Sequence, residues 1–191
     1  MRLSILDRGH GLGTKMLFVL IRVFSREPVL DIVKLAKYRP DFYGAQKLTH
    51  AAMRGPSAWP VGDRELMAAL VAKNNECDWC VRAHSAVAEK AYGDREIVAA
   101  VLTDIETAPI GEPLRATLRM LRKLTREHGL TAGDIRTVLA KGASAEQIED
   151  ALAVFFAFSI TARLANTFGF TLPSPRAFAS GASYLLKRGY R

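Results

Sequence analysis

Cysteine is nearly absent from this sequence, with two in 191 residues. A disulfide framework is therefore excluded, and a chain of this length buries a core without covalent staples. Aromatic residues are sparse, at 8 %, and no stretch sustains the apolar–polar alternation of a strand. The most apolar run, Met16 to Ile21 and then Val23 and Phe24 beyond Arg22, falls well short of the ~20 residues that cross a bilayer as a helix. Arg2, Arg8 and Lys15 precede it as they would in a signal peptide, yet Ser25-Arg26-Glu27-Pro28 offers no small-x-small cleavage site. A helix packed on the core or on a neighbouring subunit is expected there, without stable membrane insertion. The expected setting is cytoplasmic, where a cysteine pair is more often catalytic or redox-sensing than structural.

Acidic residues are missing where the charge is highest. The 27 Lys and Arg against 19 Asp and Glu give a net charge of +8, which by itself suggests nucleic acid or an anionic membrane. Residues 1–60 hold ten basic and four acidic side chains, and residues 172–191 four basic and none acidic. The segment between them, 61–171, has thirteen basic and fifteen acidic residues. Basicity thus belongs to the two ends, and a nucleic-acid-binding core is not expected.

What the sequence has in quantity is helical pattern, so the fold class is all-α: a basic N-terminal arm over 1–38 and a helical domain over 39–191. Helices are expected over about 14–25, 28–37 with Pro28 in the first turn, and 41–53 before the breaker Arg54-Gly55-Pro56-Ser57. Asp63 reads as the N-cap of a helix over 64–73, whose run Leu66 to Ala72 implies burial on most sides. Others follow over 76–91, 94–104 and Pro113–His128, the last closed by Gly129. Thr131 with Asp134 opens a helix to Lys141, and Ser144 with Gln147 forms a capping box for a long central helix over 145–168. A basic terminal helix follows Pro173 and Pro175. Arg115, Arg119, Arg122 and Arg126 form a stripe that reads as a solvated face, opposite a Leu114, Leu118, Leu121 and Leu124 stripe. Arg163 and Asn166 on the central helix call for partners, with Asp150 as one possible source.

Both cysteines fall within Asn74-Asn75-Glu76-Cys77-Asp78-Trp79-Cys80-Val81-Arg82-Ala83-His84. Positions 77, 80 and 84 are three and four apart, so they share one helix face. The interruption at Asn74-Asn75 puts both thiols in a first turn, where free N–H groups and the helix dipole favour thiolate. An imidazole one turn below Cys80 completes an activated nucleophile with its base. A buried pair or a structural disulfide is the plainer alternative. Zinc is another, although His10, His50 and His128 show no second-knuckle spacing. Trp79 reads as packing. Glu65, heading the preceding apolar helix, complements a dipole, and burial there would suit it to proton relay.

Glu65, eleven intervening residues, Cys77-x-x-Cys80, three more and then His84 resembles the signature of alkylhydroperoxidase D-like proteins in the carboxymuconolactone decarboxylase superfamily. The likeness runs over about 40–172, including "RELMAALVAKNNECDWCVRAHS". It implies a helical homo-oligomer, trimer or hexamer, acting as a thiol peroxidase without cofactor or metal. By that resemblance Cys80 attacks the hydroperoxide, Cys77 resolves the sulfenic acid as a disulfide, and His84 and Glu65 relay protons. A dithiol reductant, a lipoyl domain or a thioredoxin-like protein, would then restore the pair. One position departs: better-understood members carry a histidine before the second cysteine, and this chain has Trp79. A redox-responsive binding or stress protein, switching an interface through its cysteine pair, is the alternative from another class. A decarboxylase-like lyase is the third, and it has no use for an intact Cys-x-x-Cys.

Overall fold

The computed structural model describes residues 5–38 and 45–190. Every regular element among them is helical: α1 Ile5–Arg8, α2 Leu12–Ser25, α3 Asp31–Tyr38, α4 Ala45–Arg54, α5 Val61–Asn74, α6 Asp78–Tyr92, α7 Arg95–Thr103, α8 Glu112–Glu127, α9 Ala132–Ala140, α10 Ala145–Phe168 and α11 Pro175–Arg188. Local chemistry sets most boundaries. Thr131 with Asp134 and Ser144 with Gln147 both close capping boxes, so two start signals act alike. Gly93 and Gly169 end α6 and α10 in the left-handed conformation.

Three boundaries differ from the sequence reading. Asp63 is not an N-cap: α5 starts at Val61 behind Pro60, and Asp63 lies in its first turn. There its Oδ1 accepts a 2.5 Å hydrogen bond from Tyr92 Oη, and burial pushes its carboxyl above the usual range. Pro28 precedes α3 by three residues instead of opening it. The left-handed residue that ends α8 is His128, at φ 59°, and not Gly129. Residues 41–44 of the third expected helix lie outside the described residues.

The core forms where α5 packs against α6, α8 and α10. Ten residues of α5 are buried, Glu65 among them. α10 is long and apolar enough to cross a bilayer, and its Ala151, Val154, Ala157 and Phe158 fill the core beside Leu66, Met67, Val71, Leu118 and Leu121. Deleting a fully buried aromatic such as Phe158 costs about 3–5 kcal/mol in cores of this kind.

The arginine stripe does more than face water. Arg115 donates to the carbonyls of Ile105, Glu106, Ala108 and Ile110, closing the α7–α8 loop, and Arg119 pairs with Glu106 and Glu112. Asn166 donates to the Asn75 carbonyl, Asp150 accepts from Ser57, and Arg163 is exposed.

The basic arm packs Leu6 and Leu35 against Leu164, Phe168 and Phe170 near the end of α10. Its longest helix, α2, buries none of its fourteen residues. Phe18 meets His10 edge-on at 4.8 Å, while Leu12 and Phe24 are 86 % and 84 % exposed and Met16, Val19, Leu20 and Val23 also face out. On a helix these form a single arc with Lys15 and Arg22 at one flank.

Candidate active site

α5 and α6 are an antiparallel pair joined by three residues, with Glu76 at φ 53° making the reversal. The Cys77 N–H bonds to the Ala72 carbonyl (3.0 Å), and its own carbonyl receives Val81 N–H (2.9 Å). Cys77 is therefore the N-cap of α6: its Sγ accepts from the Cys80 amide at 3.4 Å. Both thiols are reduced and buried, at 1 % and 0 % exposure.

The two sulfurs differ electrostatically. The Cys80 side chain donates to the Cys77 sulfur and, with the Cys80 and Trp79 amides, holds the Cys77 thiol below its ordinary value against an opposing burial penalty. The same contact, then burial, pushes Cys80 well up. The first proton thus leaves Cys77, and the first-turn effect expected for both thiols acts on one. A brief pulse of iodoacetamide at neutral pH should label Cys77 ahead of Cys80. In Cys80→Ser, where the serine hydroxyl still donates, the labelling rate of Cys77 should reach half its plateau below the pH of a free thiol, about 8.5. Mass spectrometry of the alkylated peptides reads both outcomes.

The family resemblance implies that Glu65 and His84 act together, and the structure brings them into contact: Glu65 Oε2 lies 2.8 Å from His84 Nδ1, with both side chains buried. Two further residues converge there. Arg54, at the end of α4, donates from Nη2 to Glu65 Oε1 at 2.6 Å, anchored by the carbonyls of Met53 and Leu185. Tyr190, beyond α11, donates to the same carboxylate, its Oη 2.9 Å from Oε1 and 3.0 Å from Oε2. Burial, and after it the charge on Glu65, raises the Tyr190 phenol far above its ordinary value. Neither Arg54 nor Tyr190 carried a sequence signal, since they lie 11 and 125 positions from Glu65.

Trp79 points the other way, edge-on to Phe170 (5.4 Å) and Phe178 (6.0 Å). With Leu30 and Ile32 these rings pack against the buried cluster that contains Trp79 and both cysteines. This packing is tied together where Asp31 Oδ2 accepts from the Thr171 amide (2.9 Å) and Glu27 from Ser174 (3.0 Å). Among the described residues, no three His, Cys, Asp or Glu side chains are grouped to hold a metal ion.

Residues 40–123 match the carboxymuconolactone decarboxylase family. A peroxidase-related protein from a Silicibacter species superposes with a TM-score of 0.73 at 21 % identity over 87 % of each chain. An alkylhydroperoxidase AhpD core protein from Ralstonia eutropha, also titled peroxidase-related, gives 0.73 at 22 % identity over 92 % of each. The chain resembles the carboxymuconolactone decarboxylase family over residues 40–123 and shares the fold of both solved proteins. No curated protein matches its sequence. The all-helical fold agrees with both solved proteins.

Proposed function

We propose that the protein is a thiol-dependent peroxidase that reduces organic hydroperoxides through Cys77 and Cys80. The observation that carries this reading is one reduced Cys-x-x-Cys at a helix start, beside a buried Glu65–His84 pair. Cys80 becomes the attacking thiolate by passing its proton along its hydrogen bond to Cys77, or to His84 one turn on. Its sulfur takes the terminal oxygen, the O–O bond breaks, and the departing alkoxide collects a proton from the relay to leave as alcohol. The Cys80 sulfenic acid is then attacked by the Cys77 sulfur, water leaves, and the disulfide forms. An external dithiol, carried on a lipoyl or thioredoxin-like partner, returns the pair to thiols by exchange. Turnover of tert-butyl hydroperoxide with dihydrolipoamide tests the reading. Catalytic consumption supports it, whereas stoichiometric oxidation that stops after one equivalent favours a redox switch instead.

The same reading includes a homo-oligomer with α2 at a contact between copies. The exposed arc from Leu12 to Phe24 is a contiguous apolar patch of the kind that marks an interaction surface. Light scattering after gel filtration should give a multiple of the 21.0 kDa chain mass. The double substitution Leu20→Asp with Val23→Asp should lower that mass toward the monomer, and a monomeric parent protein would remove the assembly from the proposal.

A further inference from the structure

We propose that Tyr190 is a positioning residue of the relay: its hydroxyl fixes the Glu65 carboxylate so that His84 carries its proton on Nδ1 and leaves Nε2 as the base. The tautomer follows from counting donors and acceptors, and only its use toward Cys80 rests on the peroxidase reading. Arg54 can only donate, and it occupies Glu65 Oε1 at 2.6 Å. Tyr190 Oη spans both carboxylate oxygens, at 2.9 and 3.0 Å. The carboxylate is thus an acceptor on every side, and His84 Nδ1, 2.8 Å from Oε2, must donate to it. A lone pair on Nδ1 at that distance would instead face a carboxylate lone pair.

Tyr190 also limits where the imidazole can go. Its hydroxyl lies 3.3 Å from Nδ1, and its ring is inclined only 21° to the imidazole plane. Phe158 closes the other side, edge-on at 4.2 Å. The Arg54 guanidinium lies 5.2 Å from the centre of the Tyr190 ring, so one residue both binds the carboxylate and seats the phenol. Delivery of the tyrosine depends on Gly189, at φ 68° and ψ −162°, a conformation open essentially to glycine. A Cβ there would come within 2.7 Å of the His50 ring. The chain thus passes His50 closely immediately before Tyr190 reaches the buried acid.

The test uses the full-length protein with ¹⁵N-labelled histidine. In the parent protein, long-range ¹H–¹⁵N spectra should show His84 with a protonated Nδ1 and a bare Nε2. Tyr190→Phe removes one oxygen, and it should mix the two tautomers, slow oxidation of Cys80 by hydroperoxide roughly tenfold and displace the pH profile of that rate, with KM little changed. Incorporating 3-fluorotyrosine at 190 restores a hydroxyl with a more acidic proton and should recover the single tautomer and most of the rate. If Tyr190→Phe keeps the parent tautomer and pH profile, Tyr190 is packing alone and the proposal fails. Should that variant not fold, the fluorotyrosine protein decides, because an unmoved pH profile there overturns the assignment equally. Absence of peroxide turnover in the parent protein would instead remove the peroxidase reading, with the tautomer still judging Tyr190.

Discussion

Cys80→Ser is expected to abolish hydroperoxide consumption, by about 10⁶-fold, the scale on which removing a nucleophile acts. Cys77→Ser should behave differently, because it removes only the second thiol. Its Cys80 should be oxidised once and stop, leaving a sulfenic acid that dimedone traps at position 80. The contrast is informative because thiolate population points to the other sulfur. Cys77 is the thiol whose proton leaves first, so an alkylating reagent prefers it. A hydroperoxide also needs a proton for its leaving oxygen, and His84, held by Glu65 and Tyr190, stands one helical turn on from Cys80. Oxidation following the relay and alkylation following the thiolate would locate the two roles separately. Dimedone on Cys77 in Cys80→Ser, with peroxide consumption intact, would reverse the assignment.

Glu65→Ala should cost the folded protein about 3–5 kcal/mol, the usual penalty for removing one partner of a buried ion pair. Its carboxylate is fully buried and receives Arg54, His84 and Tyr190. Without it the Arg54 guanidinium, itself only 10 % exposed, keeps its charge with no other ion-pair partner among the described residues. For a chain of this size each kcal/mol lowers the melting temperature by roughly 2–4 °C, so a fall of about 10 °C should be evident by calorimetry. Glu65→Gln, which can still accept from Arg54 and Tyr190, should lose less stability. Both variants should lose the proton relay, a factor of about 10²–10⁴ in oxidation rate. Equal melting temperatures for Glu65→Ala and the parent protein would show that this acid is not what anchors α4 and the segment after α11 to the core.

Much of the fold was legible because α9 and α10 announce themselves locally: Ser144 and Gln147 define a start with no help from the rest of the chain. The start of α5 was misread for the converse reason. Asp63 looks like a cap, but it is spent on Tyr92, a partner 29 positions away. The site divides along the same line. Cys77, Cys80 and His84 follow from one helical period, whereas Glu65 entered the site only through the family resemblance. Arg54 and Tyr190 reach the carboxylate through the packing of α4 and α11, and no spacing rule reports contacts of that range. Local pattern also assigned both thiols the same first-turn benefit, whereas only Cys77 sits at the N-cap itself.

The aromatic and aliphatic packing around the cysteine pair sets a kinetic condition. Neither sulfur offers surface to solvent, so every reagent waits for a local opening of the cluster that buries Cys77 and Cys80, against which Leu30, Ile32, Phe170 and Phe178 pack. Each measured rate is then the intrinsic rate of the exposed thiol multiplied by the population of the open form. That population is a free energy of its own, to which the hydrogen bond between Asp31 and Thr171 contributes, and it is separable from the chemistry beneath it. Two segments remote in sequence thereby help to set how often the dithiol is presented, whatever reagent then arrives.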